Sequence, residues 1–161
     1  MLTIEVKVDG ALFRAGDTSK IVGDELNAAM HASTQHLRGL IIPKTPVGVS
    51  GLLRKTQASV TGEARSIEGR VFNPAPYGIV VEMGRTPGAK PPRSSDLELW
   101  VRRKLDVPEN KVKSVAFLVA RKIGKQGTKA VKMFASSVEE GRGTINHLFD
   151  RAADRIIARL S

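Results

Sequence analysis

The chain contains no cysteine. That excludes disulfide stapling, a thiolate nucleophile and Cys-ligated zinc, and it suits a cytoplasmic protein without demanding one. Aromatic residues make up only 4%, so a core has to be built mainly from Val, Ile, Leu and Ala. No apolar run approaches the ~18–20 residues of a membrane span, so no membrane partner is expected. The N-terminus reads Met1-Leu-Thr-Ile-Glu-Val-Lys-Val-Asp-Gly10. This alternation is strand-like and is not a basic segment followed by an apolar one, so a soluble chain with no export signal is expected.

Catalytic signatures are missing as well. Gly48-Val-Ser50-Gly-Leu52 lacks the final glycine of a nucleophile elbow. Gly84-Arg-Thr-Pro-Gly88-Ala-Lys90 resembles a phosphate loop only superficially. Its glycines are one residue too close, Ala89 intervenes before the lysine, and Pro91 follows it. His31, His36 and His147 show no metal-ligand spacing. The adjacent pairs Asp24-Glu25 and Glu139-Glu140 cannot share one helix face, so they read as solvated surface and not as an acid/base couple. The expectation is no enzyme, no metal and no cofactor.

What is present fits one globular domain over 1–161. The 161 residues are 41% hydrophobic and 26% charged, close to an ordinary soluble domain. Residues 2–8 alternate as a half-buried strand, with Asp9-Gly10 as a hairpin turn and Ala11–Arg14 as a short return strand. Asp17 or Thr18 can cap a long amphipathic helix from Ile21 to Ile42, ended by Pro43 and Pro46. Thr56–Thr61, Ile67–Phe72 and Tyr77–Glu82 read as three antiparallel strands joined by short loops.

Residues 84–94 hold three prolines and two glycines and read as an extended loop. Ser95-Asp-Leu-Glu98 is a capping box opening a short helix with Leu97, Trp100, Val101 and Leu105 on one face. A second helix places Val112, Val115, Ala116, Val119 and Ile123 inside, with Gly124 at its C′ position. From Ile145 to Leu160 an unbroken apolar stripe marks a last amphipathic helix. The predicted fold is α+β: a small antiparallel sheet with a long N-terminal helix, two short inserted helices and a C-terminal amphipathic helix packed on it.

Charge is uneven. The chain carries 26 Lys plus Arg against 16 Asp plus Glu, a net +10. Ten of the cations fall between 102 and 132: Arg102, Arg103, Lys104, Lys111, Lys113, Arg121, Lys122, Lys125, Lys129 and Lys132, opposed only by Asp106 and Glu109. Such a stretch reads as a nucleic-acid face, a solvated surface, or a surface for an acidic protein neighbour. Base-stacking aromatics are few within it, which weighs toward the solvated or protein-facing readings over the nucleic-acid one.

Three stretches together resemble one family. Thr45-Pro-Val-Gly-Val-Ser-Gly51-Leu-Leu-Arg54 follows the first helix and is similar to a proline, short spacer, T/S-G-x-L-R signature. Tyr77-Gly-Ile-Val-Val-Glu82-Met-Gly84-Arg-Thr86 is similar to Y-A-x-x-V/L-E-F-G-T. Ile123-Gly-Lys-Gln-Gly127-Thr-Lys-Ala-Val-Lys-Met133-Phe134 is similar to I-x-x-x-G-T-x-x-x-x-F-F. Their order and spacing resemble the tail-completion and head–tail joining proteins of long-tailed double-stranded DNA bacteriophages. Met83 and Met133 stand where that pattern has aromatics, and the helices of 95–124 are not a feature of every relative.

The resemblance implies a non-catalytic virion protein, assembled in the host cytoplasm, that self-associates as a ring, a hexamer being expected. Its partners would be neighbouring neck or connector and tail-tube proteins, with non-specific DNA contact. Its slot (neck, tail terminus or minor tail) is left open. Arg54, Tyr77, Glu82, Arg85, Lys90 and Arg93 are the expected subunit-boundary or loop residues, with Arg54 and Glu82 a candidate pair across the sheet or between subunits. Competing readings are a basic nucleic-acid-binding protein using 102–132 and a small interaction module such as a toxin or inhibitor.

Overall fold

The computed structural model describes residues 2–7, 16–48, 51–63 and 66–161. The Asp9-Gly10 turn and the Ala11–Arg14 return strand fall outside them. The fold is α+β, and the chain divides into two compact units. One comprises residues 1–46, 54–74 and 133–161, and the other comprises 47–53 and 75–132.

The first unit holds β1 (Leu2–Lys7), α1 (Gly16–Lys44), β2 (Gln57–Glu63), β3 (Ser66–Phe72) and the last helix, α5 (Met133–Leu160). The sheet order is β1-β3-β2, antiparallel throughout, with Thr3 opposite Arg70 and Val60 opposite Gly69. Along β3 the period of two separates buried Ile67, Gly69 and Val71 from Ser66, Glu68 and Arg70 on the other face. There Arg70 donates to Glu68 at 2.8 Å.

Helix α1 crosses the buried face. A side chain at Gly69 would collide with Met30 and Thr34, so the helix lies close to the sheet because this position has no Cβ. Val22, Leu26, Met30 and Ile67 form a core cluster, with Val60, Phe149 and Ile156 packed against it.

Helix α1 begins at Gly16 and not at Ile21, so Asp17 and Thr18 fall inside its first turn. It ends as expected at the proline-rich segment, with Pro43 in its last turn. There the buried Thr45 hydroxyl donates to the Ile41 carbonyl at 2.7 Å, satisfying an acceptor that the ending helix leaves open. Helix α5 runs antiparallel along α1. Glu25 meets Arg155 and Arg159 at 2.6 and 3.0 Å near one end, and Lys44 meets Glu140 at 2.6 Å near the other.

Helix α5 also begins well before the expected Ile145. Gly141 and Gly143 mask its first half in the sequence, yet Gly141 is buried within a Cβ's reach of Leu37 and Leu40. Ile157 and Leu160, expected on the inner stripe, are exposed.

Candidate interaction surface

The second unit contains α2 (Gly78–Met83), α3 (Ser95–Lys104), a 3-10 turn (Glu109–Lys111) and α4 (Val112–Gln126), preceded by a 3-10 turn at Leu52–Arg54 whose Arg54 belongs to the first unit. Its segment Tyr77–Glu82 is not the expected strand. Gly78–Met83 is a short helix, ended by Gly84 at φ 72°. A short apolar run cannot be told from a buried helical turn by periodicity. The Val81 and Glu82 carbonyls accept from the Val131 and Lys132 N–H groups at 3.0 and 3.1 Å. These acceptors would otherwise be orphans of the helix end.

Two glycines lock this junction. Arg85 and Thr128 form an antiparallel bridge with both N–H···O distances at 3.0 Å. A Cβ on Gly84 would meet the Thr128 carbonyl, and one on Gly127 would meet the Arg85 carbonyl. Both glycines also have positive φ, at 72° and 70°, a conformation that side chains resist. Gly127, not the expected Gly124, is therefore the residue that ends α4.

Gly124 is buried within the helix, where the loop of residues 84–94 packs onto it. The Gly88 N–H donates to the Gly124 carbonyl at 2.8 Å, and Pro91 Cβ lies 3.1 Å from where a Gly124 Cβ would stand. Arg85 ties the loop by donating to the Lys90 carbonyl at 2.8 Å. Arg85 and Lys90 are thus brought together within the chain, while the Lys90 and Arg93 side chains are exposed.

Helices α3 and α4 share a second apolar cluster of Val101, Val112 and Ala116, flanked by Leu97, Val107 and Val115. Trp100 and Leu105, expected on the inner face with Leu97 and Val101, are instead exposed. Helix α4 covers only the 97–101 stripe. Ser94, not Ser95, is the N-cap of α3, and it makes no side-chain capping bond. Arg102 ties α3 to the following turn, reaching Glu109 at 2.7 Å and Glu98 at 3.7 Å.

All ten cations of 102–132 are exposed. The second unit carries thirteen Lys or Arg against five Asp or Glu, a net +8, leaving +2 for the first, which has thirteen against eleven. Tyr77 and Arg85, with Lys129, line a cleft of about 750 Å³. Glu82 is half-buried on α2, and Arg54 is exposed.

The exposed apolar residues of this unit are not among those expected from the sequence. Ile79 and Met83, one turn apart on α2, are 67% and 72% exposed, and Phe117 and Leu118 on α4 are both 58% exposed. The available signal was helical spacing. Once Val112, Ala116, Ala120 and Gly124 are buried, Leu118 falls on the opposite face and Phe117 at the stripe's edge.

Among the described residues no group of three or more His, Asp or Glu is placed to hold a metal ion, and no helix is long and apolar enough to cross a membrane. No family model, curated protein or solved structure matches this chain.

Proposed function

We propose that the chain is a structural subunit of a long-tailed bacteriophage virion, a tail-completion or head–tail joining protein. It acts by forming a ring and carries out no catalysis. The observation that supports this reading is the convergence of the three stretches that resemble that family. Gly48 lies beside Leu53 and the Tyr77 hydroxyl, at 3.6 and 3.8 Å from a Cβ built on it. Gly84 and Arg85 interlock with Gly127 and Thr128, and Val81 and Glu82 accept from Val131 and Lys132. Residues far apart in sequence thus make one local structure, as expected of a signature that encodes a fold and not an accident of composition.

In this reading the exposed Ile79 and Met83, inside the second stretch, belong to a subunit boundary. Neck or connector and tail-tube proteins are the neighbours. Native mass spectrometry of the purified protein, alone and with a tail-tube protein, together with negative-stain images, tests the proposal. A ring in either sample, a hexamer being expected, supports it. A strict monomer in both sinks it.

A second reading, DNA binding through 102–132, is favoured by the concentration of charge in the second unit. Its mark is tight binding to DNA by a monomer.

A further inference from the structure

The outward face of α4 has a composition that solvent alone does not explain. At ~100° per residue, Leu118 stands opposite the buried stripe, Phe117 stands at the stripe's edge, and Arg121 and Lys125 lie between the two. No carboxylate lies on the helix. Beside Phe117 is a cleft of about 610 Å³, walled by Pro91 and Pro92 of the docked loop, floored by Ala120 and Gly124, and rimmed by Arg121 and Lys125. Beside Leu118 is a shallower hollow of about 240 Å³ bordered by Arg121, Lys122 and Lys125. The loop is held in place by the Gly88–Gly124 hydrogen bond and the Arg85–Lys90 contact, so the cleft exists before anything enters it.

We infer that this face docks an acidic segment of another protein, one that puts a large apolar side chain into the Phe117 cleft and carboxylates onto Arg121, Lys122 and Lys125. Charge complementarity selects the occupant. A cationic helix with apolar flanks and no carboxylate matches an apolar anchor ringed by Asp or Glu, the arrangement in which charge guides encounter and the buried anchor supplies affinity.

A second copy of this chain is the poorer match in charge. Each copy carries +10, so two copies repel where an acidic partner attracts, and Glu25 and Glu140 are engaged within the chain by Arg155, Arg159 and Lys44. A DNA duplex would meet the cations but leave Phe117, Leu118 and the proline wall with nothing apolar to cover them. A single strand would find one aromatic here and not the succession on which bases stack. The inference does not depend on the joining role.

The test is selection of random-sequence peptides displayed on particles against the whole protein, with Phe117→Ser/Leu118→Ser protein as the counter-target. Affinities of the winning peptide are then measured by fluorescence anisotropy at physiological salt. The expected pool is acidic with one large apolar residue. Its binding should weaken by about tenfold or more both in the Phe117→Ser/Leu118→Ser protein and in Arg121→Glu/Lys125→Glu protein. All four side chains are exposed, and circular dichroism confirms that the variants stay folded.

A pool with no acidic bias, or no enrichment over the counter-target, overturns the inference. So does retained binding by either variant. A random-sequence DNA duplex that binds wild type more tightly than the winning peptide reassigns the face to nucleic acid. Self-association that only the variants lose, read by sedimentation velocity, reassigns it to a second copy.

Discussion

Gly141 and Gly143 sit two residues apart on α5 and meet opposite surroundings. A Cβ at Gly143 would touch nothing within 4 Å, whereas one at Gly141 would stand 3.1 Å from both Leu37 and Leu40. Gly143→Ala should therefore stabilise by about 0.5–1 kcal/mol, through reduced backbone entropy in the unfolded chain and better helix propensity. Gly141→Val should destabilise by about 1–3 kcal/mol, because the α1–α5 seam has no room for a branched side chain. Urea unfolding followed by circular dichroism checks both. Equal effects at the two positions would mean that α5 does not lie against α1 as described. The same pair explains why the helix start was hidden from sequence reading: glycines that read as a break are, in one case, a packing requirement and, in the other, a tolerated cost.

At the scale of elements, the α1–α5 pairing has an acid-sensitive clasp. The hydrogen bond from Arg155 holds the Glu25 carboxyl below the ordinary carboxylate range. Partial burial pushes the other way, and Arg159 adds to the lowering. A carboxylate whose pKa is lowered by folding stabilises the fold above its unfolded pKa, and that stabilisation is lost as pH falls through the lower, folded value. Glu25→Gln should therefore unfold earlier than wild type at neutral pH. The difference should shrink once the pH drops below the ordinary carboxylate range of about 4. Parallel thermal melts from neutral pH to about pH 3 check this, and a gap that persists unchanged into acid would detach Glu25 from the clasp.

Elements whose periodicity is local were legible. The stripe of α1 was read from Val22, Leu26, Met30, Leu37 and Ile41, and strands β2 and β3 were found within a residue or two. Helix α2 was not legible, because a six-residue apolar run carries no period that separates strand from helix, and the carbonyls at its end find their partners in Val131 and Lys132, about fifty residues away in sequence. Of the candidate site, charge and loop boundaries could be read in advance. The spacing of the α4 stripe places Leu118 outside it, whereas the exposure of Phe117, Ile79 and Met83 has no such local signal, since apolar residues are normally assigned to a core.

For the whole molecule, the dominant quantity is the division of charge: +8 in the second unit and +2 in the first. Arg102 is already engaged by Glu98 and Glu109, and the remaining cations are spread over α3, the 3-10 turn, α4 and the segment after it. DNA contact is expected to be weak and indifferent to sequence. If about four to six cations reach phosphates, affinity should fall roughly 10²–10³-fold between about 50 and 200 mM salt. Anisotropy titrations with two unrelated duplexes measure it. A shallow salt slope, or a preference for one duplex, would favour the nucleic-acid reading over the structural one.

The two units are interleaved along the chain, which passes between them after residues 46, 53, 74 and 132. On the ribosome this sets a schedule. The long helix and the strands of the first unit emerge early, but the partner that lies along α1 is made only after the whole of 75–132. During that interval part of the α1 surface is uncovered, the kind of exposed apolar surface on which nascent chains aggregate or recruit chaperones. The second unit takes all its residues but 47–53 from one continuous stretch, 75–132, which is complete before α5 is made.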